Sequence, residues 1–266
     1  MAYCRGVEPV DMLRLWRGTG LSGWDPAEYG IATPAIVVGS QALHATGYAL
    51  GIALDGAHSA ALTYFGDGAT SEGDIAEAFG FAASYTVPVV FFCQNNGWAI
   101  SEPVRLQSHA SIAQRGRGYG IPAIQVDGND VLAVLAATRL ALARAYAGHG
   151  PTLIEAITYR MGPHTTSDDP TRYRSRAEEE EWREKDPIAR LRALLRAEGD
   201  LADEFEATVE ERAAEAAATL RARCLSLPDP PPEAMFEHVY AGPHPGLDEE
   251  RNAYAAYLAE LDEPLP

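Results

Sequence analysis

The chain has 266 residues, 47% of them hydrophobic and 22% charged, with 38 Asp plus Glu against 21 Lys plus Arg and a formal net charge of −17. That balance suits a folded globular protein rather than a disordered one, and the negative charge argues against nucleic acid or an anionic membrane surface as the main partner. No run reaches the roughly 18 apolar residues of a membrane helix, and the opening MAYCRGVEPVDM lacks the basic cluster and apolar stretch of a secretory signal. Residues 7–17 read as a short amphipathic helix with Val10, Leu13, Leu15 and Trp16 as its apolar positions, and the Gly- and Pro-rich 18–34 as a loop. Residues 40–54, apolar with small residues throughout, read as a buried helix; 61–66 (ALTYFG) reads as a strand buried on both faces. A helix follows over about 71–85, with Ser71 as its N-cap and Asp74 three residues on. Then come a strand at 87–96, a helix at 108–118, a strand at 121–128, a helix at 130–147 with Asp130 near its start, and a strand at 150–159.

Strands alternating with helices predict an α/β fold, a parallel sheet with helices on both faces. Past residue 160 the pattern changes. Residues 160–176 are polar and aperiodic, 177–227 charged and helical, the segment from 228 proline-rich, and 247–261 a last helix. The expected organisation is an α/β domain over 1–176 and a helical, proline-rich C-terminal extension over 177–266 that packs on the domain and on partner subunits. Cys4, Cys93 and Cys224 are odd in number and far apart. They form neither a disulfide framework nor a CxxC metal site, which fits a reducing cytoplasm.

Ligands of such sheets sit beyond the carboxyl ends of the strands, so the chemistry is sought just after residues 66, 93 and 159. After the first strand stands Gly66-Asp67-Gly68-Ala69-Thr70-Ser71-Glu72-Gly73-Asp74. Its glycines let the backbone approach a ligand closely, and the following helix aims free N–H groups at the same place. An Asp beside a diphosphate repels it unless a divalent cation lies between. After the second strand stands Gln94-Asn95-Asn96-Gly97-Trp98. An Asn side-chain oxygen and a turn carbonyl are hard neutral ligands that Mg²⁺ accepts alongside a carboxylate and phosphate oxygens. GDGATSEGD is no EF-hand loop, because the alternating Asp/Asn positions are missing. The 26 residues between Gly68 and Asn95 hold one helix and one strand, so both turns return to the same sheet edge.

This pair resembles the thiamine diphosphate fingerprint, GDG then NN. VPVVFFCQNNGWAIS, RGRGYGIPAIQVDGNDVLAV and PTLIEAITYRMGPHTTSDDPTRYR extend the likeness. They resemble the alpha subunit of the decarboxylating first component of 2-oxo acid dehydrogenase complexes, the branched-chain 2-oxo acid and pyruvate dehydrogenase family, from about residue 4 to about residue 200. The loop Gly162–Asp169 with Tyr173-Arg174 separates this family from other thiamine diphosphate enzymes. The resemblance implies the thiamine diphosphate-binding fold and a set of roles. Asp67, the Asn96 side chain and the Trp98 carbonyl would hold Mg²⁺; Gly66, Gly68 and Ala69 would line the diphosphate, the last two meeting it through backbone N–H. Gln94 stands where many branched-chain members carry an Arg, which leaves that contact without its cation. Arg160 would balance phosphate charge, Val38 would lie against the aminopyrimidine, and His164 would face the reacting carbon and help acyl transfer to a lipoyl group. Thr165 and Ser175 fall where mitochondrial relatives are phosphorylated on serine; no such control is expected here.

The resemblance also implies partners. A single α/β domain anchors the diphosphate, and the activating Glu would come from a beta subunit in an α2β2 heterotetramer that serves a lipoyl-bearing acyltransferase. The activity implied is oxidative decarboxylation of a 2-oxo acid, with branched-chain acids slightly favoured over pyruvate. The alternatives are an acetoin-type dehydrogenase alpha subunit, or a truncated, non-catalytic scaffold subunit. Relatives usually carry a further segment with a Tyr-Arg pair at the diphosphate, whereas the match here begins almost at Met1. A misassigned start or a truncation would account for that. Ile36 replaces a small polar residue at a potassium site of branched-chain members. His44 and His58 read as structural, Glu178–Glu181 as a solvated helix start, and Trp16, Trp24 and Trp182 as packing residues.

Overall fold

The computed structural model describes residues 1–18 and 23–262. The chain forms two compact units, one of Ala35–Ala202 and one of Met1–Pro34 with Asp203–Pro266. The order is α1 (Pro9–Arg17), α2 (Pro26–Tyr29), α3 (Ser40–Leu54), β1 (Ala61–Gly66), α4 (Gly73–Tyr85), β2 (Val89–Asn95), β3 (Trp98–Ala99), β4 (Glu102–Pro103), α5 (Val104–Gln107), α6 (Ile112–Gly118), β5 (Ala123–Asp127), α7 (Val131–Tyr146), β6 (Thr152–Ile157), α8 (Arg176–Arg183), α9 (Pro187–Glu198), α10 (Asp203–Leu225) and α11 (Pro245–Asp262).

The larger unit is built on a four-stranded parallel sheet of order β1-β2-β6-β5. Its central strand β2 (VVFFCQN) is β-branched and aromatic, and Val89 to Cys93 are buried on both sides. Alternate residues point to opposite faces. On one side Phe91 and Cys93 meet Ala42 and Ala49 of α3, Ile75 and Phe79 of α4 and Ile112 of α6. On the other, Val90, Phe92 and Ile154 meet Ala137, Ala141 and Ala145 of α7. Phe79 stands edge-on to Phe91 with centroids 4.9 Å apart. Asp130 caps α7, its Oδ1 accepting the N–H groups of Leu132 and Ala133 at 3.0 Å each.

Several sequence expectations need correcting. β1 lies at the sheet edge, so only Thr63 and Phe65 among its core residues are fully buried and Leu62 and Tyr64 are half-covered. α3 buries one stripe (Ala42, Thr46, Ala49, Ile52), while Tyr48 and Leu54 are 70% and 79% exposed. Ser71 is not the cap of α4; it ends a 3-10 turn over Asp67–Ser71, and the helix starts at Gly73 with no side-chain cap. The helix expected from 108 begins at Ile112, with Ser111 Oγ accepting the Gln114 N–H at 3.2 Å.

In the other unit α1 packs against α10. Arg223 pairs with Glu8 at 2.6 Å, and Arg17 donates to the Cys224 carbonyl at 3.1 Å. Of the apolar positions of α1 only Val10 is fully buried, and Trp16 is 74% exposed. At 3.6 residues per turn these four positions spread over more than half the helix circumference, too wide for one contact face. Trp24 does pack, its indole N–H donating to the Ile31 carbonyl at 2.9 Å. Among the described residues no helix is long and apolar enough to cross a membrane, and Cys4, Cys93 and Cys224 are free thiols.

The sheet core and the α7 cap should separate in magnitude. Phe91→Ala removes a ring with no exposure and should destabilise by about 3–5 kcal/mol. Asp130→Ala should cost only about 1 kcal/mol. Urea unfolding midpoints at constant slope check both, and equal losses would count against the core assignment.

Candidate active site

β1 and β2 run parallel with Gly66 opposite Gln94, so the chain leaves both strands at the same edge. The 3-10 turn Asp67–Ser71 then meets the turn over 95–98. Asp67, 1% exposed, joins them: its Oδ1 accepts the Asn96 backbone N–H at 3.2 Å, and its Oδ2 accepts from Gln107 Nε2 at 3.1 Å. Thr70 Oγ1 donates to the Asp67 carbonyl at 2.7 Å, and Arg115 Nη2 to the Thr70 carbonyl at 2.6 Å. In the second turn Asn96 Oδ1 accepts the Trp98 N–H at 3.1 Å, and Gly97 takes the left-handed φ of +87° that favours glycine. Gly68 is where the turns come closest: a Cβ there would lie 2.7 Å from Ala99 Cβ.

A third segment follows β6. The Thr158 N–H donates to the Asn95 carbonyl at 2.8 Å and the Arg160 N–H to the Asn96 carbonyl at 3.3 Å, so the strand end is stitched to the Asn turn. The Arg160 guanidinium then donates to the carbonyls of Trp98 (3.3 Å) and Ile100 (2.5 Å) and to Tyr173 Oη (3.0 Å). Its Nη1 also lies 3.4 Å from His164 Nδ1. An arginine only donates, so a hydrogen bond between the two would have Nδ1 as its acceptor. Asp168 Oδ2 accepts from the His164 N–H at 2.8 Å and from Tyr173 Oη at 2.6 Å; these two bonds, with the charge of Arg160, hold the Asp168 carboxyl below its ordinary value. Arg174, with its side chain 2% exposed, donates to the carbonyls of Arg160, Met161 and Gly162 and pairs with Glu179 at 3.6 Å. Tyr173 and Arg174 therefore order the loop. Trp182 packs as expected, stacked on Tyr159 at 5.2 Å.

The expected site residues form one chain of neighbours. Gly66 faces Gln94, Asp67 binds the Asn96 backbone, the Trp98 carbonyl binds Arg160, and Arg160 reaches His164. Gly68 and Ala69 lie in the same 3-10 turn as Asp67. Val38 stands apart from these bonds; it is 58% exposed, and its neighbour Gly39 approaches Glu72, where an added Cβ would lie 3.1 Å from Glu72 Cβ. Gln107 and Glu155 were missed. Gln107 lies on a short helix with no pattern to mark it, and Glu155 sits in an apolar run where only its charge stood out.

The donor set suits a hard cation bound jointly with a phosphate. Among the described residues no three His, Cys, Asp or Glu side chains cluster as a protein-only metal site. The edge instead offers one carboxylate, Asp67, with the neutral oxygens Asn96 Oδ1 and Trp98 O. Burial raises the Asp67 carboxyl above its ordinary value, opposed by the bonds from Gln107 and Asn96 and by the charge of Arg160. A cation at Asp67 would relieve that burial penalty. Burial, and then the Asp67 and Glu155 carboxylates, push the buried Cys93 thiol well up, which keeps it protonated and inert.

Two outcomes follow. A carboxyl with a raised folded-state pKa contributes stability that is complete below its unfolded value, about 3.9, and is lost as pH rises through the raised value. Asp67→Asn removes that loss, so the variant's urea midpoint without cofactor should gain on the wild type's as pH climbs to neutrality; a constant difference would contradict this. Arg174→Lys keeps the charge but not the fork. It should open the segment 160–172 to limited proteolysis, and an unchanged digestion pattern would refute that role.

Residues 5–228 match the family described as "Dehydrogenase E1 component". The chain is 47% identical over 259 residues to the 3-methyl-2-oxobutanoate dehydrogenase subunit alpha of Mycobacterium tuberculosis (strain H37Rv), covering 97% of this chain and 71% of that one. It is 48% identical over 201 residues to the pyruvate dehydrogenase E1 component subunit alpha of Bacillus cereus, covering 75% and 54%. With the Acholeplasma laidlawii subunit of the same name it shares 41% over 257 residues, covering 96% and 74%. The chain belongs to the dehydrogenase E1 component family, on the side of its alpha subunits.

Proposed function

We propose that this chain is the alpha subunit of a 2-oxo acid dehydrogenase that uses thiamine diphosphate and Mg²⁺, decarboxylates a 2-oxo acid oxidatively and passes the acyl group to a lipoyl carrier. The observation that carries the reading is the bond between the buried Asp67 carboxylate and the Asn96 backbone. It draws together two turns whose bonded residues lie 29 positions apart in sequence, and so supports a carboxylate, an amide oxygen and a turn carbonyl serving one metal. Branched-chain substrates are favoured, supported by 47% identity over 97% of the chain to the 3-methyl-2-oxobutanoate enzyme's alpha subunit.

When bound, thiamine diphosphate supplies the electron sink for loss of CO₂. Asp67, Asn96 Oδ1 and the Trp98 carbonyl would hold the metal, and the Gly68 and Ala69 N–H groups would face the diphosphate, which Gly66 and Gln94 would border. Arg160 would offset phosphate charge while its bonds to Trp98 and Ile100 keep the metal turn in place. His164, its Nδ1 3.4 Å from Arg160 Nη1, would face the reacting carbon and hold a proton during acyl transfer. The activating carboxylate would come from a beta subunit in an α2β2 assembly. Exposed apolar side chains support such a partner: Ile36 is 77% exposed, Val37 69% and Val38 58%, and Tyr48 and Leu54 on α3 are exposed as well. The reading places the enzyme in the cytoplasm, supported by the three free thiols.

The test is a titration of the chain co-purified with its beta partner. Mg²⁺-dependent, saturable binding of thiamine diphosphate is expected from quenching of tryptophan fluorescence. Asp67→Asn should weaken it by at least about 100-fold, the scale of roughly 3 kcal/mol for a lost charged ligand. No saturable binding by the wild type would instead favour a scaffold subunit. His164→Ala should lower lipoyl acylation by about 10²–10⁴-fold while decarboxylation, assayed with an artificial electron acceptor, falls far less. Equal losses would remove His164 from acyl transfer.

A further inference from the structure

Glu155 sits in the middle of β6 with 1% exposure, and among the described residues no cation pairs with it. A buried carboxylate normally demands a cation or a full set of donors. Glu155 has donors from three elements. Oε1 accepts from Asn95 Nδ2 at 2.9 Å, and Oε2 accepts from the Ala113 backbone N–H at 2.9 Å and from Gln125 Nε2 at 3.0 Å. The first bond matters most. It turns the Asn95 amide so that Nδ2 faces the sheet and Oδ1 faces outward, where it accepts the Gly97 N–H at 3.2 Å. Gly97 lies between Asn96 and Trp98, the two residues of the second turn assigned to the metal.

We infer that Glu155 is a positioning residue for the cofactor turn: through the Asn95 amide it holds Gly97, and so sets where Asn96 Oδ1 and the Trp98 carbonyl sit. This rests on the cofactor reading given above. With N–H donors on both of its oxygens, Glu155 accepts at each and leaves Asn95 one orientation. A neutral Gln at 155 would point an N–H₂ group at one of these donors. Either Asn95 flips and sets Nδ2 against the Gly97 N–H, or the bond to α6 or β5 is lost. Exchanging the two groups restores the pattern. In Asn95→Asp/Glu155→Gln the new amide donates to the new carboxylate, its oxygen accepts from Ala113 and Gln125, and the other aspartate oxygen still accepts from Gly97. All four hydrogen bonds have a counterpart.

The experiment uses the alpha–beta complex and measures the Kd for thiamine diphosphate at saturating Mg²⁺ by tryptophan fluorescence, with Tm of the cofactor-free complex alongside. Glu155→Gln and Asn95→Asp should each weaken binding by about 10–100-fold, the usual scale for residues that orient metal ligands, and the double variant should return to within about threefold of wild type. If Glu155→Gln does not fold, Asn95→Ala serves in its place. It leaves Glu155 bonded to Ala113 and Gln125 through Oε2, removes both Asn95 side-chain bonds, to Glu155 Oε1 and from the Gly97 N–H, and should weaken binding to at least the same degree. The inference is overturned if the single variants lower Tm while Kd stays at the wild-type value, or if the losses add in the double variant instead of cancelling. Absence of saturable binding in the wild type would strike the cofactor reading itself, and is thereby told apart from failure at Glu155.

Discussion

The site depends on one buried acceptor. The Asp67 carboxylate lies where β1 ends, takes a backbone N–H from the turn that ends β2 and an amide from Gln107, and is almost without solvent. The cost of burying it is only partly met by these bonds, which is why its carboxyl is raised. An edge built this way has two turns fixed relative to one another and a negative charge that a cation would complete. A hydrophobic residue at 67 would relieve the burial but leave the Asn96 N–H without its partner.

Around that acceptor the structure works by fixing carbonyls with arginines. Arg160 reaches from the end of β6 to the Trp98 and Ile100 carbonyls, and Arg174 gathers the carbonyls of residues 160–162. A guanidinium is suited to this because its planar fork of donors satisfies several acceptors at once. The loop carrying His164 is thus ordered by hydrogen bonds rather than by a packed core. Its side chains are largely exposed, so its stability is tied to a few polar contacts and to whatever subunit surface lies against it. The sheet beneath is the opposite case, with β2 and β6 held by burial on both faces.

Much of this was legible in the residues. β1 and α3 fall where their apolar runs place them, and α7 starts at the Asp130 cap. The strand-end rule was enough to bring Asp67 and Asn96 together. Failures came where a tertiary contact, not a local pattern, decides. The Asp67–Ser71 turn is 3-10 backbone, with the Thr70 carbonyl held by Arg115 from 45 residues away, and Ser71 does not cap α4. The burial of α3 was overestimated because small apolar residues look alike whether they face a core or open surface; His44, Tyr48 and Leu54 lie on the face this chain does not cover. Gln107 and Glu155 owe their roles to partners 40 and 60 residues away, and no spacing rule reaches that far.

On the proposed function the two turns hold a divalent ion between them. The most direct test of this is diffraction from crystals of the alpha–beta complex grown with thiamine diphosphate and Mn²⁺ in place of Mg²⁺, with anomalous scattering locating the metal. The account predicts one peak within coordination distance of an Asp67 carboxylate oxygen, Asn96 Oδ1 and the Trp98 carbonyl. A cofactor bound with its metal peak elsewhere, or with Asp67 still bonded only to Gln107 and Asn96, would contradict it.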